Sequence, residues 1–476
     1  MSKDEQIYSL TQEVRQLKQQ LAYFQKMLYG KKSERFAPAS NQLTLGLDDE
    51  KKEGKETEAT AQTVTYTRRK GKNPVRKPLP EHLERREEIL LPEGDLTGAT
   101  PLGEEVTEVL EMEPAKFYVR RIVRKKYLLP SKEIVIAPLP NDLPLKRSNA
   151  GATVLADLGV GKFVDHLPLN RQLKRFRRSG AEIAESTLNG WIKALFLLLH
   201  PLYEELRRQV LLQTYLQVDE STIKVLQNKK SKTHQGYMWV YHSPVRNLVL
   251  FEYHKGRGKE VPKEALKAFA GHLQTDAYTA YEVFNGKEEI IMLACWAHAR
   301  RKFHDAQSND KARAEHALKK IGWLYKIERF AQNEEWTNEE RQNLRQENAI
   351  PIIDKLLEWA AREYPSAPPK SPIGKALAYI LKLSGRLKNY CLQGNLCIDN
   401  NPVERLIRPL ALGRKNYLFA GNHEAAQWAA MFYSFFGTCQ ANDINPYEWM
   451  VHVLTKINEH PINRIHELLP LKENFQ

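Results

Sequence analysis

Cysteine is scarce in this chain. Cys295, Cys391, Cys397 and Cys439 are its whole complement across 476 residues, too few and too scattered for a disulfide framework, and they predict reduced thiols. Long apolar runs are missing as well: the longest, Ala194 to Leu199, falls far short of the ~20 residues that span a bilayer. The opening MSKDEQIYSL has no apolar core of the kind a secretory signal needs. Together these absences predict a cytoplasmic protein with no membrane partner. Acid is absent between Thr60 and Pro80, where Arg68, Arg69, Lys70, Lys72, Arg76 and Lys77 cluster. Basic residues exceed acidic ones overall, 72 Lys and Arg against 58 Asp and Glu, for a formal charge of +14. Such an excess concentrates a polyanion, nucleic acid foremost, at the surface.

The length exceeds what one compact core holds, so a multidomain protein is expected. In residues 1–36, Ile7, Leu10, Val14, Leu17, Leu21, Phe24 and Leu28 alternate at spacings of three and four. That a/d seam predicts a short coiled coil and a homodimer; docking of the helix on its own domain is the alternative. Residues 37–81 lose the period, are rich in charge, and read as a disordered basic linker, either lying along phosphates or serving as a plain tether. Residues 82–140 carry the β-prone runs REEILLP, EVTEVLEME, KFYVRRIVRKKYLL and EIVIAPLP, and predict a small β-rich module. Within residues 141–205 a basic helix, Leu167 to Arg178, meets a break at Ser179-Gly180. Ser186 is then placed to cap a second helix through Thr187, Leu188, Trp191, Ile192 and Leu195. Helix, glycine-containing turn and helix is the helix-turn-helix pattern. It would set Thr187, Asn189, Gly190 and Lys193 toward a major groove, and Lys174, Arg175, Arg177 and Arg178 toward the phosphates of double-stranded DNA. Helical hairpins that bind nothing share the pattern. Residues 441–476 read as a C-terminal helical tail.

Residues 210–440 carry the chemistry. TYLQVDESTIKVL, GYMWVYHS and LVLFEYHK read as three antiparallel strands, KEALKAFAG as a helix, HLQTDAYTAYEVF as a strand ending near Asp276, and EIIMLACWAHARRKFHDA as a strand entering a helix. That order predicts a ribonuclease H-like α/β domain, with Asp219 in the middle of the first strand and Asp276 at the end of the fourth. Neighbours on a strand point to opposite faces, so Asp219 and Glu220 cannot share a site. The fold order favours Asp219; the period alone leaves Glu220 open. Phosphodiester transfer calls for carboxylates converging from separate elements on two Mg²⁺ (or Mn²⁺) ions. A third acid is offered by CIDNNPVERLIRP, where Asn401 is a candidate N-cap, Pro402 fits the first helical position and Glu404 the third. The same spacing describes a simple capping box, and Asp399 is a rival. Cys295 and His298 form a C-x-x-H pair that lacks the second pair of a zinc site and read as structural. Arg300, Arg301, Lys302, Arg405, Arg408, Arg414 and Lys415 flank the acids as phosphate clamps or as ordinary helix-end charges.

From about residue 1 to 450, the succession LYGKKSERF, DHLPLNRQ, VDEST, TDAYTAY, CWAHARRKF and IDNNPVERLIRPLALGRKNYLFAG resembles the DDE transposases of the insertion sequence 66 family (TnpC type). The resemblance implies that Asp219, Asp276 and Glu404 are the catalytic, metal-binding triad, and that a helical insertion at about 305–396 separates the second acid from the third. It implies magnesium-dependent cleavage and strand transfer at the terminal inverted repeats of an insertion sequence and at a target, with accessory proteins of the same element as further partners. A DNA-binding protein derived from a transposase, and a nuclease of the same fold that stops at hydrolysis, are the alternatives. Members of that family usually carry cysteine pairs ahead of the helix-turn-helix. Residues 82–140 have none, so no zinc is expected in that module.

Overall fold

The structure, a computed structural model, describes residues 116–475 apart from 131, 133, 146–147 and 228–231. The heptad helix, the basic linker and the first two β-prone runs lie outside the described residues. Of the expected β-rich module, two three-residue strands are described, β1 (Lys126–Leu128) and β2 (Ile134–Ile136), paired antiparallel with Tyr127 opposite Val135. Tyr127, Ile134 and Val135 are exposed. Among the described residues no helix is long and apolar enough to cross a membrane.

Three helices follow: α1 (Ala152–Phe163), α2 (Leu169–Arg178) and α3 (Glu185–Leu211). Helix α2 buries only Gln172 and Phe176 and leaves Arg171, Lys174, Arg177 and Arg178 exposed. Its end comes at Ser179 and Gly180, the latter at φ 84°, a conformation glycine adopts without strain. One expectation needs correction. Ser186 does not cap α3, because the helix already begins at Glu185 and its N-cap, Ala184, makes no side-chain bond. The helix also runs on well past Leu195. Leu188, Trp191, Ile192, Leu195, Leu199, Leu202, Leu206 and Val210 form one buried stripe at helical spacing, which carries α3 through Pro201 to Leu211.

The sheet has five strands in the order β5-β4-β3-β6-β7. Strands β3 (Tyr215–Gln227), β4 (Lys232–Ser243) and β5 (Leu248–His254) are antiparallel, whereas β6 (Gly271–Thr275) and β7 (Ile290–Ala294) run parallel to β3. The connections differ from expectation in size: α4 (Glu260–Ala265) has 6 residues, and a 3₁₀ turn at Thr279–Phe284 stands between β6 and β7. Five helices of the region between the second and third acids, α6 (Lys311–Asn333), α7 (Asn338–Leu344), α8 (Ile350–Glu363), α9 (Pro372–Lys382) and α10 (Ser384–Lys388), follow α5 (Trp296–Ala306). With α5 they enclose a separate apolar cluster that includes Phe303, Ile321, Leu324, Ile353 and Leu377. The chain then returns through α11 (Asn401–Tyr417), α12 (His423–Ala441) and α13 (Pro446–Lys456).

Helix α12 covers the β5 edge. Ser434 Oγ accepts from Phe251 N at 2.7 Å and Thr438 Oγ1 from Val249 N at 3.1 Å, which satisfies outward N–H groups that an open edge strand would expose. Gly437 lets the two elements approach, since a Cβ there would lie 3.1 Å from Val249 Cγ1. Helices α1 to α3, the sheet, α12 and α13 share one continuous apolar core. Residues beyond 441 are therefore part of that core, with Trp449 and Met450 buried and Met450 against Gly159 of α1.

Candidate active site

The register of two parallel strands brings the first two acids together. Strand β6 pairs with β3 through Gln217 and Gln274, and continuing both chains by two residues sets Asp276 beside Asp219. Strand β6 has already ended at Thr275, so Asp276 sits on the turn where the sheet opens. That turn is fixed locally: Asp276 Oδ1 accepts Tyr278 N at 2.9 Å, and Ala277 takes φ 68°. Below the acids lies a buried amide network that the sequence reading missed. Gln217 Nε2 donates to Gln274 Oε1 at 2.8 Å and to the Asp399 carbonyl at 2.9 Å, and Tyr215 Oη donates to Gln274 Oε1 at 2.6 Å. The only sequence signal was a glutamine at an inward position on each strand.

The sequence left Glu404 and Asp399 as rivals for a third acid, and the two differ in their hydrogen bonds. Helix α11 starts at Asn401 with Asn400 as its N-cap and no side-chain cap bond, so the alternative of an Asn401–Glu404 capping box does not form. Asn401 bonds to Asp399 instead, through N to Oδ1 at 3.0 Å and Nδ2 to Oδ2 at 2.8 Å, while Tyr325 Oη donates to Asp399 Oδ2 at 2.8 Å. Asp399 is thus a structural acceptor. Glu404 has no hydrogen bond: its Oε1 is buried and unpartnered, with His298 Nε2 3.8 Å away and Arg301 Nη2 3.8 Å from Oε2.

Glu220 is likewise occupied. Tyr281 Oη and Arg257 Nε each donate to its carboxylate at 2.7 Å, and the side chain is 1% exposed. The C-x-x-H pair divides its work. Cys295 is buried with its thiol pushed up to about 12, chiefly by burial, and its Sγ accepts Asn400 N at 3.2 Å. His298 faces Glu404; burial holds it below the usual histidine range, opposed by the nearby charges of Glu404 and Asp276.

Crowding of like charge marks the centre. The Asp219 carboxyl is raised to about 8, first by burial, then by Asp276 and Glu220, with a further contribution from Glu404. Hard carboxylate oxygens, mutual repulsion and an orphaned buried Glu404 oxygen fit a divalent cation in chemistry and charge. Among the described residues no three His, Cys, Asp or Glu side chains are grouped so that they could hold a metal ion as they stand.

The basic candidates fall into two sets. Arg301 addresses Glu404, and Arg300, Arg405, Arg408 and Lys415 are exposed on α5 and α11. Lys302 is exposed, with Nζ 4.8 Å from the Tyr379 ring centroid. Arg414 is engaged internally: Nη1 donates to Thr222 O at 2.6 Å, Ser221 Oγ at 3.0 Å and Thr222 Oγ1 at 3.1 Å, tying α11 to β3. On the α2–α3 pair, Lys174, Arg177, Arg178, Asn189 and Lys193 are exposed, Thr187 is half-buried, and Arg175 is ion-paired to Asp157.

The family model described as Transposase IS66 family matches residues 147–428, a span that holds all three acids and the helical insertion. Models described as Transposase C of IS166 homeodomain and IS66 C-terminal element match residues 16–87 and 434–471. Uncharacterized protein y4hP of Sinorhizobium fredii (strain NBRC 101917 / NGR234) is 33% identical over 480 residues, which cover 93% of this chain and 86% of that protein. Uncharacterized protein y4qI of the same organism is 30% identical over 475 residues, 94% of this chain and 87% of its own. On the family match and these full-length relatives, the chain belongs to the IS66 family of transposases.

Proposed function

We propose that this transposase cleaves and rejoins DNA at the ends of its insertion sequence with a DDE site on a ribonuclease H-like sheet, and that Asp219, Asp276 and Glu404 are its acids. The observation that carries the reading is the freedom of Glu404 beside a repelling Asp219–Asp276 pair, while the rivals Asp399 and Glu220 are both consumed by hydrogen bonds. The strand order, three antiparallel and two parallel with the first acid on the central strand, supports the fold.

Asp219, Asp276 and Glu404 would hold two Mg²⁺ or Mn²⁺ ions. When bound, such ions supply the Lewis acidity that neutralises the reacting phosphate and polarises the attacking oxygen, a water for cleavage or a 3′-hydroxyl for joining. The chain's own residues set the frame: the buried glutamine pair fixes the spacing of the two strands, and Asp399 and Cys295 fix the start of α11. Arg301, Arg405, Arg408 and Lys415 would hold the DNA backbone near the acids, and Lys174, Arg177, Arg178, Asn189 and Lys193 would engage the terminal repeat. Pairing of two ends would fall to a homodimer through the heptad helix, with accessory proteins of the element as further partners.

The test is Mg²⁺-dependent cleavage and joining of a labelled element-end DNA by the intact protein and by Glu404→Gln. Joining lost in the variant, with DNA binding kept, supports both the reaction and the third acid. Equal activity in the two proteins removes Glu404 from the site. Cleavage without joining leaves a nuclease, and specific binding without either leaves a DNA-binding protein.

A further inference from the structure

Glu220 points away from Asp219 and takes no part in the proposed triad, yet its side chain is 1% exposed. A buried carboxylate is costly unless paired and hydrogen-bonded. Arg257 meets this need with a fork, Nε at 2.7 Å and Nη2 closer still, and Tyr281 Oη adds a bond at 2.7 Å. The Arg257 guanidinium also lies 3.7 Å from the centroid of the Tyr278 ring, and Tyr278 Oη donates to the Arg257 carbonyl at 3.1 Å. Tyr278 N in turn donates to Asp276 Oδ1 at 2.9 Å. The contacts form one path from Glu220 through Arg257 and Tyr278 to the second acid. They also fasten a turn that needs support, because β6 has ended and Ala277 holds φ 68°, which a side-chain-bearing residue avoids.

We propose that Arg257 is a positioning residue for the second acid: paired with Glu220 and stacked on Tyr278, it holds the Asp276 carboxylate ready for a divalent cation. The proposal rests on the reading of Asp276 as a metal ligand. Groups that hold a ligand carboxylate in place govern metal affinity because a misdirected ligand must be reordered on binding, and Arg257 acts on Asp276 through Tyr278.

The experiment measures Mn²⁺ binding to the DNA-free, full-length protein by calorimetry, and the Mg²⁺ concentration that half-saturates cleavage of element-end DNA. Wild type is compared with Arg257→Gln, Arg257→Lys, Tyr278→Leu and Asp276→Asn. Arg257→Gln and Tyr278→Leu are expected to weaken Mn²⁺ binding about tenfold and to raise half-saturating Mg²⁺ in parallel, with the rate at saturating Mg²⁺ near wild type. Arg257→Lys keeps the charge without the fork or the planar stack and falls between them. Wild-type metal affinity in Arg257→Gln and Tyr278→Leu overturns the proposal, whatever happens to cleavage. If Arg257→Gln fails to fold, Arg257→Lys decides, and unchanged affinity there overturns it. Asp276→Asn separates the two levels: normal Mn²⁺ binding in that variant removes the metal-ligand reading itself.

Discussion

Asp219 converts the crowding of acids into a measurable slope. Its carboxyl is pushed up from 3.8 to about 8, by burial first and then by Asp276, Glu220 and Glu404. In the unfolded chain the group gives up its proton near the ordinary aspartate value; in the folded protein without a cation it keeps that proton until about pH 8. Between those limits the folded state binds more protons than the unfolded one, so stability falls as pH rises through the window. At ~1.4 kcal/mol per pH unit, the whole span sets a ceiling of roughly 6 kcal/mol. Relaxation and water entry at this half-buried site reduce the expected effect to about 2–3 kcal/mol. Asp219→Asn is neutral at every pH and loses the slope. Urea denaturation in a chelator, from about pH 5 to about pH 8, should show the wild type losing that amount relative to the variant. Taking the difference between the two proteins cancels groups common to both, such as His242, lowered to about 3, and Lys162, lowered to about 8. Mg²⁺ added at the upper pH should restore the wild type, since the ion binds the folded site. Parallel curves for the two proteins would refute the reasoning, because they would mean that neither burial nor the neighbouring acids raise Asp219 in the folded protein.

Glu404 has no hydrogen bond to lose, so Glu404→Gln should melt with the wild type while cleavage falls ~10³-fold or more, the scale of deleting a catalytic group. Asp399→Ala should do the converse to the fold, stripping acceptors from Asn401 and Tyr325 and lowering stability by about 2–4 kcal/mol in urea titration; the opposite pattern in the pair would exchange the roles of the two acids. Arg414→Lys cannot reproduce three contacts made by one guanidinium nitrogen, and should cost about 1–2 kcal/mol with DNA affinity unchanged; a fall in affinity alone would return Arg414 to the phosphates. Leu418 sits at φ 66° in a tight γ-turn closed by Phe419 N to Tyr417 O at 2.7 Å, and its side chain is 62% exposed. Leu418→Gly should therefore stabilise by about 1 kcal/mol, read as a higher urea midpoint, and a lower midpoint would refute strain at this turn.

Much of the candidate site's layout was legible because its logic is local. Strand alternation and fold order put Asp219 and Asp276 on neighbouring strands, and the Gln217–Gln274 register pair two residues earlier brings them together. The motif IDNNPVER narrows the candidate third acid to a few residues without choosing among them. Asn401 and Glu404 have capping-box spacing, and only the long-range bond from Tyr325 shows that Asp399 holds the helix start. Ser186 misled for a similar reason: capping propensity is a local signal, whereas the buried stripe running from Leu188 to Val210 belongs to the core and fixes where α3 lies. The sequence, which offered His298 only a structural role and singled out nothing at Arg257, did not show their partners, since Glu404 and Glu220 lie far away along the chain.

The helical insertion follows from the same partnership. It lies between the second and third acids, so on length alone it is a long loop whose closure opposes their approach. Its helices answer this by gripping the returning chain just before Glu404. Arg345, 1% exposed, forks onto Glu328 and donates Nη1 to the carbonyls of Tyr390 and Gln393 and Nη2 to that of Leu396. Tyr325 then takes Asp399, and Trp296 N donates to the Ile398 carbonyl at 3.2 Å. Residues 390–400 are thereby held at successive points between the insertion and the sheet, and α11 can begin in only one place. A buried arginine with these carbonyl partners is a structural device rather than a DNA contact, because removing it would leave Glu328 and three carbonyls short of donors. The insertion is therefore the brace that fixes where α11 begins, and with it the place of Glu404, the acid proposed to complete the site.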